Sequence, residues 1–144
     1  MDTPWICPTC GYVAFTRPER DCPVCATPAK DFEAKPGAIK TAGEPGGDEH
    51  VPMITLAEEC GVHGGACRDV GVQIGSKVHP MEPEHAVVWM DAYLDGRFLC
   101  RYHMEPASLL PAVTMHAKTN QRGEITVVAF CNQHGHWLAA SALG

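Results

Sequence analysis

The chain has 144 residues, 45% hydrophobic and 19% charged, which allows one ordinary globular domain and a small appendage. Its net charge of −6 argues against a nucleic acid or an anionic membrane surface as a partner. No apolar run approaches the roughly 20 residues that span a bilayer. Residues 1–5 lack the pattern of a secretory signal, so we expect a cytoplasmic protein. In the reducing cytoplasm, metal binding explains the 8 cysteines better than disulfides do, and the chain also has 8 histidines.

Two close cysteine pairs come first along the chain. Each pair has two intervening residues, so each places two thiolates on one tight turn, and two such turns supply a tetrahedral four-sulfur site. A segment of about 30 residues has too little core to fold alone, so the metal is expected to stabilise it. Spacing alone leaves a redox iron centre and a structural zinc knuckle equally open. The four residues are Cys7, Cys10, Cys22 and Cys25.

The next segment, residues 35–49, is rich in Gly, Pro and charge, which predicts a linker or an extended wrapping segment. Beyond it, alternating apolar residues predict short strands, and Gly-containing turns at 94–97 and 121–124 separate the later ones. No long amphipathic helix is predicted. This spacing favours an antiparallel sandwich or barrel. The predicted strands cover 70–74, 86–94, 98–104, 112–118 and 125–130.

The second half of the chain carries four histidines and one cysteine in short motifs. Each motif is weak alone, but a Cys-x2-His pair lets two side chains reach one ion from a single turn. Four imidazoles and one thiolate suit a redox-active iron better than a structural zinc, which prefers four ligands. The residues are His50, His79, His85, Cys131 and His134.

Two stretches resemble known families. The segment WICPTCGYVAFTRPERDCPVCATPAKDFEA resembles the rubredoxin-like end of rubrerythrins, which implies a one-iron centre that passes single electrons. The motifs HVP, SKVHPMEPEHAVVW and AFCNQHGHW resemble, in that order, the catalytic domain of superoxide reductases, the desulfoferrodoxin and neelaredoxin group. The second resemblance implies a mainly β protein with an immunoglobulin-like seven-stranded barrel or sandwich. We therefore expect a rubredoxin-like domain at 1–34, a linker at 35–49 and a catalytic domain at 50–144.

The resemblance also implies a reaction and its cofactors. Superoxide, one electron and two protons would give hydrogen peroxide without release of dioxygen, and an electron donor such as rubredoxin or a reductase would restore the iron. Family members imply a homodimer or homotetramer. The four-cysteine site would hold iron or zinc. The catalytic iron would be bound by Cys131 as axial thiolate and by four equatorial imidazoles, those of His50, His79, His85 and His134.

The sequence departs from the family just before the first histidine. Many members have a Glu-Lys pair there, in which the Glu occupies the vacant iron position and the Lys attracts superoxide. Here Asp48 and Glu49 stand instead, and Glu49 should repel the anion. Together with Lys77, which is close in sequence to His79, they are the candidate residues around that position. Replacement cations could be Lys40, Arg68 or Lys77.

A further motif, Cys60-Gly-Val-His63-Gly-Gly-Ala-Cys67, has two interpretations. It is either a small metal or redox site, or a Gly-rich loop with incidental thiols. We favour the second, and a disulfide between Cys60 and Cys67 is disfavoured in the cytoplasm.

Two other functions are weighed against the reductase. The chain could be a non-catalytic electron carrier with two mononuclear iron centres, if Asp48 or Glu49 permanently filled the sixth iron position. It could also be a structural or sensor module with zinc in the N-terminal site. Five donors around one ion favour the reductase, because a sensor has no need of a vacant position opposite a thiolate.

Overall fold

The computed structural model describes residues 2–144, whose regular secondary structure is almost entirely β-strand. The one α-helix among these residues is a single turn, and none of their helices is long and apolar enough to cross a membrane. The elements are β1 (Trp5–Ile6), β2 (Val13–Ala14), β3 (Glu33–Ala34), β4 (Ile39–Lys40), α1 (Gly47–His50), β5 (Pro52–Leu56), β6 (Cys67–Ile74), β7 (Val87–Leu94), β8 (Arg97–His103), β9 (Ala112–Lys118), β10 (Gly123–Cys131) and β11 (Gly135–Leu143).

Two sheets face each other and form an open sandwich rather than a closed barrel. One has the strand order β4-β11-β10-β7-β8, and the other has the order β5-β6-β9. The seven strands β5 to β11 confirm the predicted mainly β, immunoglobulin-like architecture. Strand β4 adds an eighth, short member, which pairs in parallel with β11 through Ile39 opposite His136. Part of the 35–49 segment thus lies along the sheet.

The core lies between the two sheets. From Val70 to Ile74, every second residue of β6 is buried there, as expected of a strand with one face toward the core and one toward solvent. Strand β7 is different, because seven of its eight residues are buried. Its Met90 and Leu94 join the core between the sheets, while Trp89 and Tyr93 belong to a second cluster on the outer face.

The partner of that outer face is the knuckle, defined as the segment of β1 to β3 that carries the first four cysteines. Its three short strands have the order β2-β1-β3. Ile6, Val13 and Phe32 of the knuckle are buried in one cluster with Trp89 and Tyr93. The Tyr93 hydroxyl donates to the Val13 carbonyl at 2.8 Å. This shared cluster supplies the apolar contacts that so small a segment cannot provide for itself.

A buried ion pair strengthens this junction. The Arg101 guanidinium donates to both carboxylate oxygens of Asp91, and these side chains are 5% and 0% exposed. A further Arg101 N–H donates to the Cys10 carbonyl at 2.9 Å, and the guanidinium carbon lies 3.7 Å from the ring centroid of Trp89. Burial raises the pKa of Asp91, an effect that Arg101 opposes. The pair therefore fixes the knuckle to β7 and β8 at a specific place.

All five predicted strands are present, in β6 to β10, with ends that differ by a few residues. The predicted turn at 94–97 is the β7–β8 hairpin, in which Asp95 and Gly96 both have positive φ, as a two-residue Asp-Gly hairpin turn requires. Two longer strands, β5 and β11, were not predicted, and neither were the two-residue strands β1 to β4. Strand β11 contains three alanines and no β-branched residue, so its propensity signal is weak.

Candidate metal centres

His50 ends helix α1 and stands directly before β5. Its Nδ1 donates to the Gly46 carbonyl at 2.8 Å, which fixes the tautomer and leaves Nε2 with a free lone pair. The ring stacks on Trp137 of β11 with centroids 4.7 Å apart and is only 4% exposed. His50 is therefore held rigidly with Nε2 toward the neighbouring histidines, 3.1 Å from the Nδ1 of His134.

His79 and His85 come from the connection between β6 and β7. His79 Nδ1 donates to the Pro80 carbonyl at 2.7 Å, so its Nε2 also carries the lone pair. The Nε2 atoms of His79 and His85 are buried, and neither has a hydrogen-bond partner in the part of the chain that the structure describes. Buried polar atoms without partners are rare and costly, so two of them in one cluster indicate a binding site for a cation.

The last two donors lie at the β10–β11 hairpin. Cys131 ends β10 opposite Gly135, and His134 occupies the turn between them. The Sγ of Cys131 is 3.7 Å from the Nδ1 of His134. Asn132 connects this turn to the loop that carries His85 through two hydrogen bonds with Ala86. The Asn132 backbone N–H donates to the Ala86 carbonyl at 3.1 Å, and the Ala86 N–H donates to the Asn132 side-chain oxygen at 3.0 Å.

The four imidazoles lie at the corners of a near-square. Consecutive ring centroids around it are separated by 4.7, 4.8, 5.1 and 4.8 Å, and the one diagonal within contact range measures 6.3 Å. Consecutive rings are edge-on to each other rather than stacked, so their nitrogens can point at one centre. The ligand atoms of all members except His79 lie within 4.8 Å of one another. We call this set the five-donor cluster: His50, His79, His85, Cys131 and His134.

The protonation states suit a cation. Burial lowers the pKa of His79, and burial together with the neighbouring His50 and His85 lowers that of His134. Both rings are therefore neutral at physiological pH and free to donate lone pairs. Three Nε2 atoms, one Nδ1 and one sulfur make five donors of mixed softness. That set matches a redox-active iron and exceeds the four ligands of a structural zinc.

A glycine lets the backbone around this cluster close up. Gly75 follows β6 with φ of +83°, and its N–H donates to the Val51 carbonyl. A Cβ at this position would overlap the backbone carbonyls of Glu49 and Lys77. Any larger residue would therefore separate the segment that carries His50 from the one that carries His79.

The charged residues named as candidates from the sequence differ in where they lie relative to the cluster. The Lys77 ammonium pairs with the Asp48 carboxylate at 3.2 Å on the surface, so the charges of these two residues largely cancel. The Lys40 ammonium donates to the His134 carbonyl at 3.2 Å and lies 5.2 Å from the Trp137 ring centroid. Arg68 bonds the Ala57 carbonyl just beyond β5, away from the cluster. Lys40 is thus the candidate cation that the structure brings to the donors.

The knuckle brings its four sulfurs together. Cys7 and Cys25 are 3.5 Å apart and Cys10 and Cys22 are 3.6 Å apart, measured between Sγ atoms, and all four lie within 4.8 Å of one another. The Thr27 hydroxyl lies 3.1 Å from the Cys25 sulfur, and this hydrogen bond lowers the pKa of Cys25 to about 6. Such spacing suits one tetrahedral ion.

The two turns of the knuckle have matching hydrogen bonds. Each begins with a Cys carbonyl that accepts an N–H four residues later, from Gly11 in one turn and Ala26 in the other. Gly11 and Ala26 both have positive φ. At Gly11 a Cβ would come within 2.9 Å of the Trp89 ring, so the knuckle can approach β7 closely only with glycine there.

A third group was judged incidental from the sequence, and the structure corrects this. Cys60 and Cys67 are joined by a disulfide with Cα atoms 5.3 Å apart, although a disulfide was disfavoured for this pair. The backbone explains the pairing, because Cys60 and Gly64 form a β-bridge that folds the Gly-rich loop back onto the start of β6. A ring nitrogen of His116, from β9, lies within 4.8 Å of both sulfurs.

One feature that positions the five-donor cluster was missed from the sequence. Asn132 lies inside the Cys-x2-His motif but carried no signal of its own, because its importance depends on the distant Ala86.

Comparison with known proteins gives a consistent family assignment. A sequence model of the desulfoferrodoxin family matches residues 42–140. A superoxide reductase of Pyrococcus horikoshii is 30% identical over 107 residues, covering 67% of this chain and 88% of the relative. The structure of a superoxide reductase (neelaredoxin) from Ignicoccus hospitalis is similar with a TM-score of 0.61 at 28% identity, over 74% of this chain and 94% of that one. The fold of a superoxide reductase from Treponema pallidum matches 96% of this chain and 98% of its own, with a TM-score of 0.62 at 21% identity.

Proposed function

The chain belongs to the desulfoferrodoxin family, and on that premise we propose that it is a superoxide reductase. It converts superoxide, one electron and two protons into hydrogen peroxide. The observation that carries the proposal is the near-square of four imidazoles beside the Cys131 thiol, with two buried Nε2 atoms that lack any partner among residues 2–144. A site built only for stability would not leave these nitrogens unpaired.

We assign one iron to the five-donor cluster and one iron or zinc to the knuckle. Iron held by these five donors would supply the single electron that superoxide takes up and could also bind a small anion. The protein holds His50 and His79 in the tautomer that presents Nε2, through the Gly46 and Pro80 carbonyls. Cys131 is 2% exposed, so its sulfur is shielded from solvent and from oxidants.

Capture of the anion depends on charge near the cluster. The Lys40 ammonium, beside the His134 carbonyl, provides positive potential at the exposed edge. Asp48 and Glu49 provide negative potential, and Lys77 offsets part of it by pairing with Asp48. We therefore assign attraction of superoxide to Lys40, and we place Asp48, Glu49 and Lys77 around the approach as residues that modulate it.

An external donor has to return the spent electron. We propose a rubredoxin or a reductase as donor, with the knuckle as the entry point of the electron when it holds iron. A cytoplasmic location and a homodimer or homotetramer are proposals that follow from the family.

The experiment that tests the function counts products. The protein with both sites loaded with iron and reduced is exposed, without dioxygen, to a known amount of superoxide. We expect one hydrogen peroxide per superoxide, no dioxygen and one oxidised iron per turnover. Cys131→Ser should lose this activity, whereas Cys100→Ser, at a half-buried thiol of β8, should retain it.

Other outcomes identify the alternatives. Half a peroxide per superoxide with release of dioxygen would mean dismutation. Loss of superoxide at no more than the spontaneous rate would contradict the enzyme proposal and would leave the two-centre electron carrier as the function.

A further inference from the structure

The loop that contains Cys60 and Cys67 has no role in the proposed reaction. Strand β5 starts beside His50 and runs away from the five-donor cluster, and β6 returns to it, since Pro52 pairs with Ile74 and Leu56 with Val70. The loop between Leu56 and Cys67 therefore lies at the opposite end of the sandwich. A function for it must be sought in its own chemistry.

Both cysteines are enclosed by the fold even though the rest of the loop is open. Cys60 is 8% exposed and Cys67 is 7% exposed, whereas Val62 between them is 70% exposed. Cys67 is the first residue of β6 and its backbone pairs with Lys118 of β9. The two sulfurs are thus held together by the sheet, and reduction of their bond would leave two adjacent buried thiols.

A histidine with a carboxylate partner completes the group. His116 of β9 is paired across the sheet with Asp69 of β6, and its Nδ1 lies 2.9 Å from the Asp69 carboxylate oxygen. A ring nitrogen of His116 lies within 4.8 Å of both sulfurs. Carboxylate–histidine pairs of this kind orient metal-binding imidazoles and make them more basic.

A second observation points to a thiolate at Cys60. The backbone N–H of His63 donates to the Cys60 sulfur at 3.2 Å. A disulfide sulfur is a poor hydrogen-bond acceptor, whereas a thiolate is a charged and strong one. The turn is therefore better suited to a metal-bound thiolate than to the disulfide, and it places the imidazole of His63 in the same loop.

We propose that Cys60, Cys67 and His116 form a third metal site, which binds a soft divalent cation such as Zn²⁺ when the cysteines are reduced and releases it when they form the disulfide. Two thiolates and an imidazole are ligands that Zn²⁺ prefers, and water or His63 can fill the fourth position. The disulfide of this structure is the oxidised form, and a reducing compartment would favour the dithiol and therefore the cation-binding form.

Hydrogen peroxide is the oxidant that would switch the site. One zinc-bound thiolate attacks peroxide and, with one proton from solvent, gives a sulfenic acid and water. The second thiolate then attacks the sulfenic sulfur to form the S–S bond, and the displaced hydroxide takes a second proton and leaves as water. In total two zinc-bound thiolates, one peroxide and two protons give one disulfide, two waters and the free cation. Supply of the peroxide by this protein rests on the proposed function, whereas cation binding does not.

The test uses the full chain with iron in both other sites. After mild reduction, Zn²⁺ is added, excess is removed by a weak chelator, and zinc and iron are counted in the same sample. We expect one zinc per chain with the iron content unchanged, and loss of that zinc after added hydrogen peroxide, with Cys60 and Cys67 then resistant to alkylation. Since peroxide is added, the result does not depend on superoxide reductase activity.

Variants separate a metal site from a structural disulfide. Cys67→Ser and His116→Gln should lose the zinc, and Asp69→Asn should weaken zinc binding by about 10- to 100-fold in a chelator competition. His103→Gln, at an exposed position on β8, is the matched control and should bind normally. The proposal is overturned if the reduced protein takes up no third metal, if Cys67→Ser retains it, or if the zinc stays bound once the disulfide has formed.

Discussion

The partnerless Nε2 atoms of His79 and His85 show how single residues prepare the site before any cation arrives. An unsatisfied buried polar atom costs about 1–3 kcal/mol, and the fold accepts this cost at two adjacent positions. The Nδ1 atoms of His50 and His79 donate hydrogen bonds to backbone carbonyls, which orients the two rings. A bound cation would recover the cost, so its binding should add to the stability of the fold.

Lys40 is the residue whose charge we expect to govern capture of superoxide. Lys40→Met removes the ammonium beside the His134 carbonyl and keeps an apolar stem of similar length. The second-order rate with superoxide at low salt should fall about 3- to 10-fold, because one charge near the target changes the local potential by that order. The rate is measured after rapid generation of superoxide, at increasing ionic strength.

Two matched variants distinguish local attraction from a general charge effect. Arg68→Met removes the same charge beyond the far end of β5 and should leave the rate nearly unchanged. Lys77→Met should have a smaller effect than Lys40→Met, because Lys77 is already paired with Asp48. Equal losses in all three variants would contradict a special place for Lys40.

At the scale of elements, the β10–β11 hairpin and the loop before β7 act as one unit. The hairpin turn carries Cys131 and His134, and the loop carries His85. Asn132 joins them through Ala86, and the Gln133 side chain donates to the Glu84 carbonyl at 2.6 Å. Three of the five donors therefore depend on the register between two turns that are far apart in sequence.

Asn132→Ala tests this connection. The Ala86 N–H would lose its acceptor, which costs about 1 kcal/mol, and the loop would lose its fixed position relative to the hairpin. We expect iron affinity at the five-donor cluster to fall about 10-fold, as for other outer contacts of metal ligands. Iron retention in a chelator competition is the measurement, with the knuckle iron as internal reference. Asn120→Ala, an exposed position, should behave as wild type, and an unchanged affinity in Asn132→Ala would mean that the turns hold their register without this bond.

The elements differ in how far the sequence predicts them. Strands β6 to β10 follow from the alternation of apolar and polar residues and from the turn residues between them. The two Cys-x2-Cys motifs and the Cys-x2-His motif predict their own local geometry. The connection from Asn132 to Ala86 could not be predicted, because it depends on the pairing of β10 with β7. The disulfide between Cys60 and Cys67 was judged wrongly, because the compartment argument carries no information on the β-bridge that brings the loop together.

At the scale of the whole molecule, the knuckle and the sandwich share one buried cluster and specific polar contacts. His136 Nε2 donates to the Gly11 carbonyl at 2.8 Å, and Gly11 directly follows Cys10. His136 is two residues after His134 and pairs with Phe130, the neighbour of Cys131. A single hydrogen bond therefore connects the backbone beside a knuckle cysteine to the backbone of two members of the five-donor cluster.

This connection predicts the route by which an electron leaves the knuckle. His136→Phe keeps a ring in the cluster with Trp89 and Phe130 but removes the hydrogen bond to Gly11. Both sites are loaded with iron and reduced before a single addition of superoxide. The iron of the five-donor cluster should be oxidised first. The knuckle iron should be oxidised afterwards, as its electron moves to the iron of the five-donor cluster. We expect the second step to be slowed at least several-fold in the variant, with the first step and both reduction potentials unchanged.

The two steps are followed by rapid-mixing absorbance, since four-sulfur and imidazole-rich iron sites absorb differently. His103→Phe, which places the same substitution at the exposed end of β8, should match wild type in both steps. If His136→Phe transferred the electron at the wild-type rate, the coupling would pass through another contact at the junction, such as the one from Cys10 through Arg101 to Asp91 and Trp89. If wild type showed no second step at all, the knuckle would be a structural support for the outer face of β7, and the external donor would reduce the five-donor cluster directly.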